Sequence, residues 1–557
     1  MTDIRRTLLW VVFIMSLVLL WDAWNRHNGN PTLFGAPIRP PASAAAAGSA
    51  PAPAAGLASA PAGAVPGAGT GVARAPVAEL IQVSTDRVKA TFDSTGGTLV
   101  RLELLGYRDN VDAKRNVVLF DRTPKRLYLA QTGLIPSAGG AALPYHLTPM
   151  TAMPGARELA DGSNELSLRF EGESGGVKLA KTYTFKRGSH VIGVKHELTN
   201  GTAAALSPQL YLQLARDGSP PEGESSFYFT FTGPAMYTEQ GKFQKLEFKD
   251  IDKGKADHVR QAPDGWVGMV QHYFASAWLL GDATPREFRV AKVTDSAYAM
   301  DHFTVAMVLP FGEVAPGATK AHEARLFAGP QEENKLAALA PGLELVKDYG
   351  WFTVLAKPLF WLLTQLHAGI GNWGWAIVAL VVLLKVAFYW LNASAYRSMA
   401  KMKAINPRVM ELRERHKDDP QKMQQEMMRI YREEKVNPLG SCLPIVVQMP
   451  FFIALYWVLL SSVEMRNAPW VGWITDLADK DPWFILPILM TASSLFQVWL
   501  NPTPPDPVQA KMMWIMPLAF SFMFFFFPAG LVLYWLTNNL LSIAQQWFIN
   551  KKLGVQG

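Results

Sequence analysis

The chain has 557 residues, 53 Lys and Arg against 46 Asp and Glu for a formal net charge of +7, and 49% hydrophobic residues. That length suits more than one domain, and the single cysteine, Cys442, excludes an intramolecular disulfide. The basic excess does not by itself indicate nucleic acid, because in a membrane protein such charge collects in the cytoplasmic loops.

Arg5 and Arg6 precede an apolar run from Leu8 to Trp21, with Trp21 and Trp24 placed as interface anchors and no small-x-small site directly after it. The pattern predicts an uncleaved signal anchor over 1–24, a cleaved signal peptide being the alternative. Residues 25–77, mostly Ala, Pro and Gly from Pro31 onward, carry too little apolar surface to order themselves and read as a tether.

From 78 to 335 the texture is that of an all-β domain, a sandwich. "DRVKATFDSTGGTLVRLEL" alternates apolar and polar residues around Thr95-Gly96-Gly97. "KTYTFKRGSHVIGVKHELTN" repeats the pattern around Arg187-Gly188, with Ile192, Val194, His196 and Leu198 on one face. His190, His196, His272 and Glu197 are available for catalysis or glycan binding, but no metal spacing or catalytic motif joins them.

In "LELVKDYGWFTVLAKPLFWLLTQLHAGIGNWG", Leu345, Tyr349, Phe352 and Leu355 share a helical face. An interfacial amphipathic helix is expected over 343–367, broken or kinked at Pro358; the alternative is a last helix of the β domain. The region 368–550 then holds five apolar segments, about 373–391, 443–463, 483–500, 512–527 and 531–549, each close to the ~20 residues that span a bilayer. Pro528-Ala529-Gly530 turns the last two into a tight hairpin. Residues 392–440 and the tail 551–557, with Lys551 and Lys552, are basic, and the connection Glu464 to Asp481 is acidic in balance. This places both termini in the cytoplasm and the β domain outside.

Within 392–440, Asp418-Asp419-Pro420 is a turn, an N-cap and a first-turn proline between two helical segments, so an antiparallel helical hairpin is expected. Met399, Met402, Met410, Met423, Met427 and Met428 crowd it, either as an adaptable docking surface or as glue between the helices. The candidate recruitment surface is Met399, Lys401, Met402, Arg413, Arg415, Asp418, Asp419 and Met427. Its charges suit solvent, phospholipid or ribosomal RNA alike.

"VALVVLLKVAFYWL" carries Lys385 inside an apolar run, and no acid lies inside any expected span. A central lysine costs roughly 2.5–3.5 kcal/mol on insertion scales, against about 0.3–0.6 returned by each Val, Leu or Phe. Snorkelling to the headgroups beyond Asn392 is the bland alternative. In "LYWLTNNLLSIAQQWFI", Trp535, Asn538, Ser542 and Gln545 or Gln546 recur at helical spacing as one polar stripe; Thr491, Ser494 and Gln497 form a shorter one, and Gln448 adds an amide. Ordinary interhelical hydrogen bonding explains such residues equally. A long stripe beside an unpaired lysine favours a wet cavity in the cytoplasmic half.

"GNWGWAIVALVVLLK", "SMAKMKAINPRV", "EEKVNPLGSCLPIVVQMPFF", "DPWFILPILM" and "FPAGLVLYWLTNNLLSIAQQ" cover most of Gly371–Phe548 in order and resemble the YidC membrane-protein insertase family, in its Gram-negative form. The resemblance implies a β domain similar to a supersandwich of sugar-mutarotase type, more weakly over Ala78–Gly329. It implies a hydrophilic groove open to cytoplasm and lipid but closed outside. Lys385 falls where many members carry arginine; the charge is kept and the planar fork is lost. Val381, Gln448, Gln497, Trp535, Asn538 and Ser542 are the other candidate groove residues. The expected function is insertion and folding of nascent inner-membrane proteins, alone or with the Sec translocon and its accessory subunits, the translating ribosome and the lipid bilayer as partners, and no DNA. No phosphate-binding loop, cofactor, metal site or enzymatic activity is expected. A secondary transporter with Lys385 in a substrate site is the alternative, against which stand the missing internal repeat and acidic relay.

Overall fold

The computed structural model describes residues 78–552 except 110–111, 113, 137–141, 225–229, 295–297, 417–418, 435–442 and 502–506. The expected signal anchor, the tether and the tail end 553–557 lie outside the described residues.

Two nine-stranded antiparallel sheets form the first half. In spatial order the first runs Leu80–Ser84, Val88–Asp93, Thr98–Arg108, Asn116–Thr123, Arg126–Ile135, Gln209–Arg216, His302–Pro310, Arg286–Val293 and Gln261–Ala262. The second runs Lys242–Lys245, Gly233–Thr238, Trp266–Gln271, Phe274–Leu279, Thr319–Pro330, Val191–Asn200, Val177–Lys186, Glu165–Ser174 and Thr151–Ala152. Sequence alternation sets the register. Ser174 pairs Val177 across a Gly175-Gly176 turn in which both glycines have positive φ, 58° and 77°, as a two-residue hairpin turn requires. Along Val191–Asn200, Ile192, Val194, His196, Leu198 and Asn200 are buried and their neighbours are not, so one face lies on the core. Phe92, Phe170 and Tyr183 meet between the sheets, with the Phe92 and Tyr183 rings 4.6 Å apart.

A polar staple crosses this core. Lys181, fully buried, donates from Nζ to the carbonyls of Gly96 and Thr132, both at 2.7 Å, and His196 Nε2 lies 2.9 Å from Thr132 Oγ1. Strand alternation sends His196 inward while its neighbour Glu197 faces out to Arg169 and Lys195. His196 and Glu197 therefore point to opposite faces of one sheet.

Helices make up the second half. Helices α1 (Phe248–Asp252) and α2 (Glu333–Leu339) are short elements of the β half. The stretch expected as one interfacial helix is two 3-10 turns, Leu343–Val346 and Gly350–Phe352, followed by α3 (Thr353–Ile370). Helix α3 begins later than expected and continues through Pro358, without the i→i−4 hydrogen bond that a proline cannot donate. It buries Ala356, Leu359, Phe360 and Leu363 and leaves Val354 and Trp361 exposed.

Next come α4 (Trp373–Ala387), α5 (Tyr389–Arg415), α6 (Pro420–Glu433), α7 (Leu443–Ser461), α8 (Ile485–Leu500), α9 (Pro507–Phe524) and α10 (Ala529–Lys552). Asn372 caps α4 by accepting from Trp375 N at 3.1 Å. The segment expected to be continuous over 373–391 breaks at Phe388, and α4 and α5 are bent by 67°. Apolar composition sets how much of a segment avoids water, not whether its axis is straight. No single described helix is long and apolar enough to cross a membrane, whereas the bent pair Trp373–Ala387 and Tyr389–Met399 is. At the start of α10, Ala529 N and Gly530 N donate to the carbonyls of Asp479 and Leu477 at 2.7 and 2.9 Å. A side chain at Gly530 would press on that Leu477 carbonyl, so glycine permits the close approach.

Candidate functional site

Three helices enclose a small cleft. Helix α4 contributes Val381, Leu384, Lys385 and, at its end, Phe388; α7 contributes Gln448, Phe451 and Phe452; α10 contributes Tyr534 and Asn538. Val381 and Lys385 are four residues apart on one helical face. Lys385 Nζ donates to Ser542 Oγ at 2.6 Å, and Ser542 Oγ donates in turn to the carbonyl of Asn538 at 2.7 Å. Gln448 Nε2 donates to Asn392 Oδ1 at 2.8 Å. Among the described residues Lys385 forms no salt bridge, so its charge is held by a neutral hydroxyl. An ammonium held this way keeps its attraction for an incoming acid.

The single polar stripe expected on the last helix divides in two. Asn538, Ser542 and Gln545 belong to the α4–α5 side: Gln545 Nε2 reaches the Tyr389 carbonyl at 3.5 Å. Asn539 and Gln546 face α8 and its end, bonding Ser493 Oγ at 2.9 Å and Asn501 Oδ1 at 3.0 Å. Trp535 packs against Phe524 and Phe527, with ring centroids 4.9 and 5.6 Å away, and does not line the cleft. Gln497 is half-buried on α8, and it too is not part of the cleft wall. Adjacent positions on a helix lie about 100° apart, so "TNN" and "QQ" each serve two neighbours.

Sequence reasoning missed Asn392, bonded to the cleft residue Gln448, and the separate Asn539–Ser493 contact between α10 and α8. Asn392 looked like a polar terminus, although an Asn buried to 6% exposure is an unusual end for a helix segment.

In the cytoplasmic-hairpin candidate, α5 and α6 pack antiparallel. Asp419 Oδ1 accepts from Lys422 N at 3.1 Å, capping α6. Ile405 and Val409 are buried there, and Met399, Met402, Met423 and Met427 are half-buried. Met410 and Met428 are exposed, as are Lys401, Arg415 and Asp419. Asp418 and the Arg413 side chain lie outside the described residues.

A second polar cluster joins the two halves. Lys347 Nζ lies 3.0 Å from Glu464 Oε2, and His272 Nε2 donates to the Leu460 carbonyl at 3.0 Å. Arg466 donates to the Arg108 carbonyl and lies over the Tyr273 and Phe274 rings at 5.2 and 5.5 Å. Burial pushes His272 down to about 4, so its imidazole is neutral near pH 7. Among the described residues no group of His, Cys, Asp and Glu could hold a metal ion.

Residues 80–362 match the family described as the YidC periplasmic domain, and residues 365–555 the 60Kd inner membrane protein family. A membrane protein insertase YidC of Cupriavidus taiwanensis is 56% identical over 99% of this chain and 98% of its own. That of Bordetella petrii is 52% identical over 99% and 98%. The chain belongs to the YidC family. Among solved structures, an active YidC insertase is 19% identical over 86% of this chain and 94% of its own, with a TM-score of 0.38. A galactose mutarotase-like protein from Lactobacillus casei is 10% identical over 45% of this chain and 100% of its own, with a TM-score of 0.29. The two family matches meet between 362 and 365, inside α3. The YidC relatives are named for insertion, which is not an enzymatic function.

Proposed function

We propose that this chain inserts and helps fold inner-membrane proteins, and that the cleft around Lys385 is the inner end of a hydrophilic groove open to the cytoplasm and lipid. The observation that carries the reading is the Lys385–Ser542 hydrogen bond: a cation in an aromatic and amide wall, satisfied among the described residues by a hydroxyl. The helices α4, α7, α8, α9 and α10 contain no Asp or Glu, which removes the acidic relay that a coupled transporter needs.

In this mechanism the helical segments span the inner membrane with both termini cytoplasmic, as the basic 392–440 and Lys551-Lys552 regions support. The α5–α6 hairpin receives the nascent chain near the ribosome or the Sec translocon. A short acidic tail enters the groove, Lys385 attracts it, and Asn538 on the α10 stripe bonds its polar groups. The apolar part then leaves sideways into lipid, driven by about 25 cal/mol per Å² of apolar surface removed from water, and the membrane potential draws negative charge outward. Helix α3, with Trp361 and Val354 exposed opposite its buried face, rests at the outer interface.

The test is photo-crosslinking from Val381 and Asn538 to a ribosome-stalled membrane protein with an acidic tail. Crosslinks should weaken in Lys385→Ala and survive in Lys385→Arg. Crosslinks only to lipid and to the protein's own helices would overturn the groove reading.

A further inference from the structure

Charge attraction does not account for one amide pair at the cleft, Gln448 in its wall and the buried Asn392 behind it. Gln448 lines the cleft with Lys385, and its amide is bonded to Asn392, which lies one helical turn beyond the Phe388 break. Asn392 is only 6% exposed, and its Nδ2 has no hydrogen-bond partner among the described residues. Buried polar groups are normally satisfied, and an open one is costly to keep. Here the open donor sits behind a wall whose other nearby members include Phe388, Phe451 and Phe452. Reversing both amides together keeps the hydrogen bond and leaves a buried open acceptor on Asn392 in place of the open donor, so one group stays unsatisfied either way. Two amides joined by one hydrogen bond still present further donors and acceptors, the same two kinds of group that a peptide unit carries.

We propose that the Asn392–Gln448 pair binds the main chain of the segment being inserted, giving a donor to a peptide carbonyl and an acceptor to a peptide N–H. The ligand class is an extended polypeptide, read irrespective of its side chains. This rests on the groove reading above and divides the labour within it: Lys385 selects charge, and the amides satisfy backbone. A segment entering an apolar wall before its helical hydrogen bonds have closed has peptide groups without water or partner. A lone cation answers only acidic tails, whereas an amide pair serves any sequence.

The experiment uses the full-length protein in proteoliposomes and three substrates with one apolar span and different tails: acidic, neutral, and neutral with Pro at alternate positions, which removes those N–H donors. The wild-type protein should insert the Pro tail more slowly than the neutral tail. Asn392→Leu and Gln448→Leu should slow the neutral tail by about three- to tenfold, the equivalent of one net hydrogen bond, and should erase the difference between the neutral and Pro tails. The exchanged pair Asn392→Gln/Gln448→Asn keeps both amides and should restore that difference. It also decides the matter if the leucine variants fail to fold. Equal insertion of neutral and Pro tails by the wild-type protein would overturn the proposal, as would leucine variants that slow all tails equally and still discriminate against Pro. If Lys385→Ala inserts acidic tails normally and no tail crosslinks to Val381, the groove reading falls and the backbone reading falls with it.

Discussion

Lys347, whose side chain is completely buried, forms its ion pair with Glu464 at 3.0 Å and lies 3.8 Å from the centroid of the Phe360 ring. The pair ties the segment leaving the β half to the loop after α7, while Phe360 belongs to α3. Burial lowers the Lys347 pKa from its ordinary value, and Glu464 opposes that shift. Glu464→Ala would strand the ammonium in an apolar site, and the expected cost is about 3–5 kcal/mol. Replacing both partners, Lys347→Met with Glu464→Gln, should cost much less, because no uncompensated charge remains. Thermal unfolding of the detergent-solubilised protein compares the two, and equal losses would show that packing rather than charge dominates the joint.

In the proposed mechanism the Ser542 hydroxyl competes with an incoming carboxylate for the N–H donors of Lys385, of which it occupies one of three. Ser542→Ala therefore frees the ammonium at the expense of one hydrogen bond, about 1 kcal/mol net. Acidic-tail crosslinking at Val381 should rise by about fivefold in Ser542→Ala, by the same free-energy equivalence. A fall would mean that the hydroxyl acts on the substrate itself.

The strands were legible wherever one face is buried and the other wet, because a period of two then appears directly in the sequence. Val191–Asn200 is the clearest instance. Strands covered on both sides, such as Gln209–Arg216, lose that alternation. In the helical half, Lys385 stood out because a charge in an apolar run needs a reason. Its hydroxyl partner on α10 is 157 positions away, and no local pattern names it. The apparent single stripe on α10 concealed two contacts on adjacent faces, Ser542 toward α4 and Asn539 toward α8. The break at Phe388 has no proline or glycine to announce it.

The inter-sheet staple gives a pH dependence. Burial lowers Lys181 from 10.5 to about 7. A neutral amine has two N–H donors, and the structure provides the two carbonyls of Gly96 and Thr132. Because the folded pKa lies below the unfolded one, the unfolded chain binds more protons between about pH 7 and pH 10.5. The stabilisation is complete above the unfolded value and is lost as pH falls through the folded value. His146, lowered to about 3 chiefly by burial and secondarily by Lys181, adds its own loss between 6.5 and 3. Strand amides of Val177–Lys186 should therefore exchange less, after correction for intrinsic rates, as pH rises from about 7 to about 9. Lys181→Met should flatten that rise; a slope unchanged in this variant would assign it to another group.

The hairpin makes a contrast between two of its polar contacts. Asp419 accepts from Lys422 N at the start of α6, where a cap satisfies a donor that the helix itself cannot. Asp419→Ala should cost about 1 kcal/mol of local helix stability. Arg408 and Glu434, 2.7 Å apart, join the two helices, but their side chains are 68% and 41% exposed. Solvent and salt screen such a pair, so Arg408→Ala should cost at most about 1 kcal/mol, and less at high salt. Hydrogen exchange along Pro420–Glu433 resolves the two: opening should quicken by about fivefold in Asp419→Ala, independently of salt, as one lost cap requires. If Arg408→Ala has the larger effect, the hairpin is held by charge between its helices rather than by the cap and the Ile405 and Val409 packing beneath it.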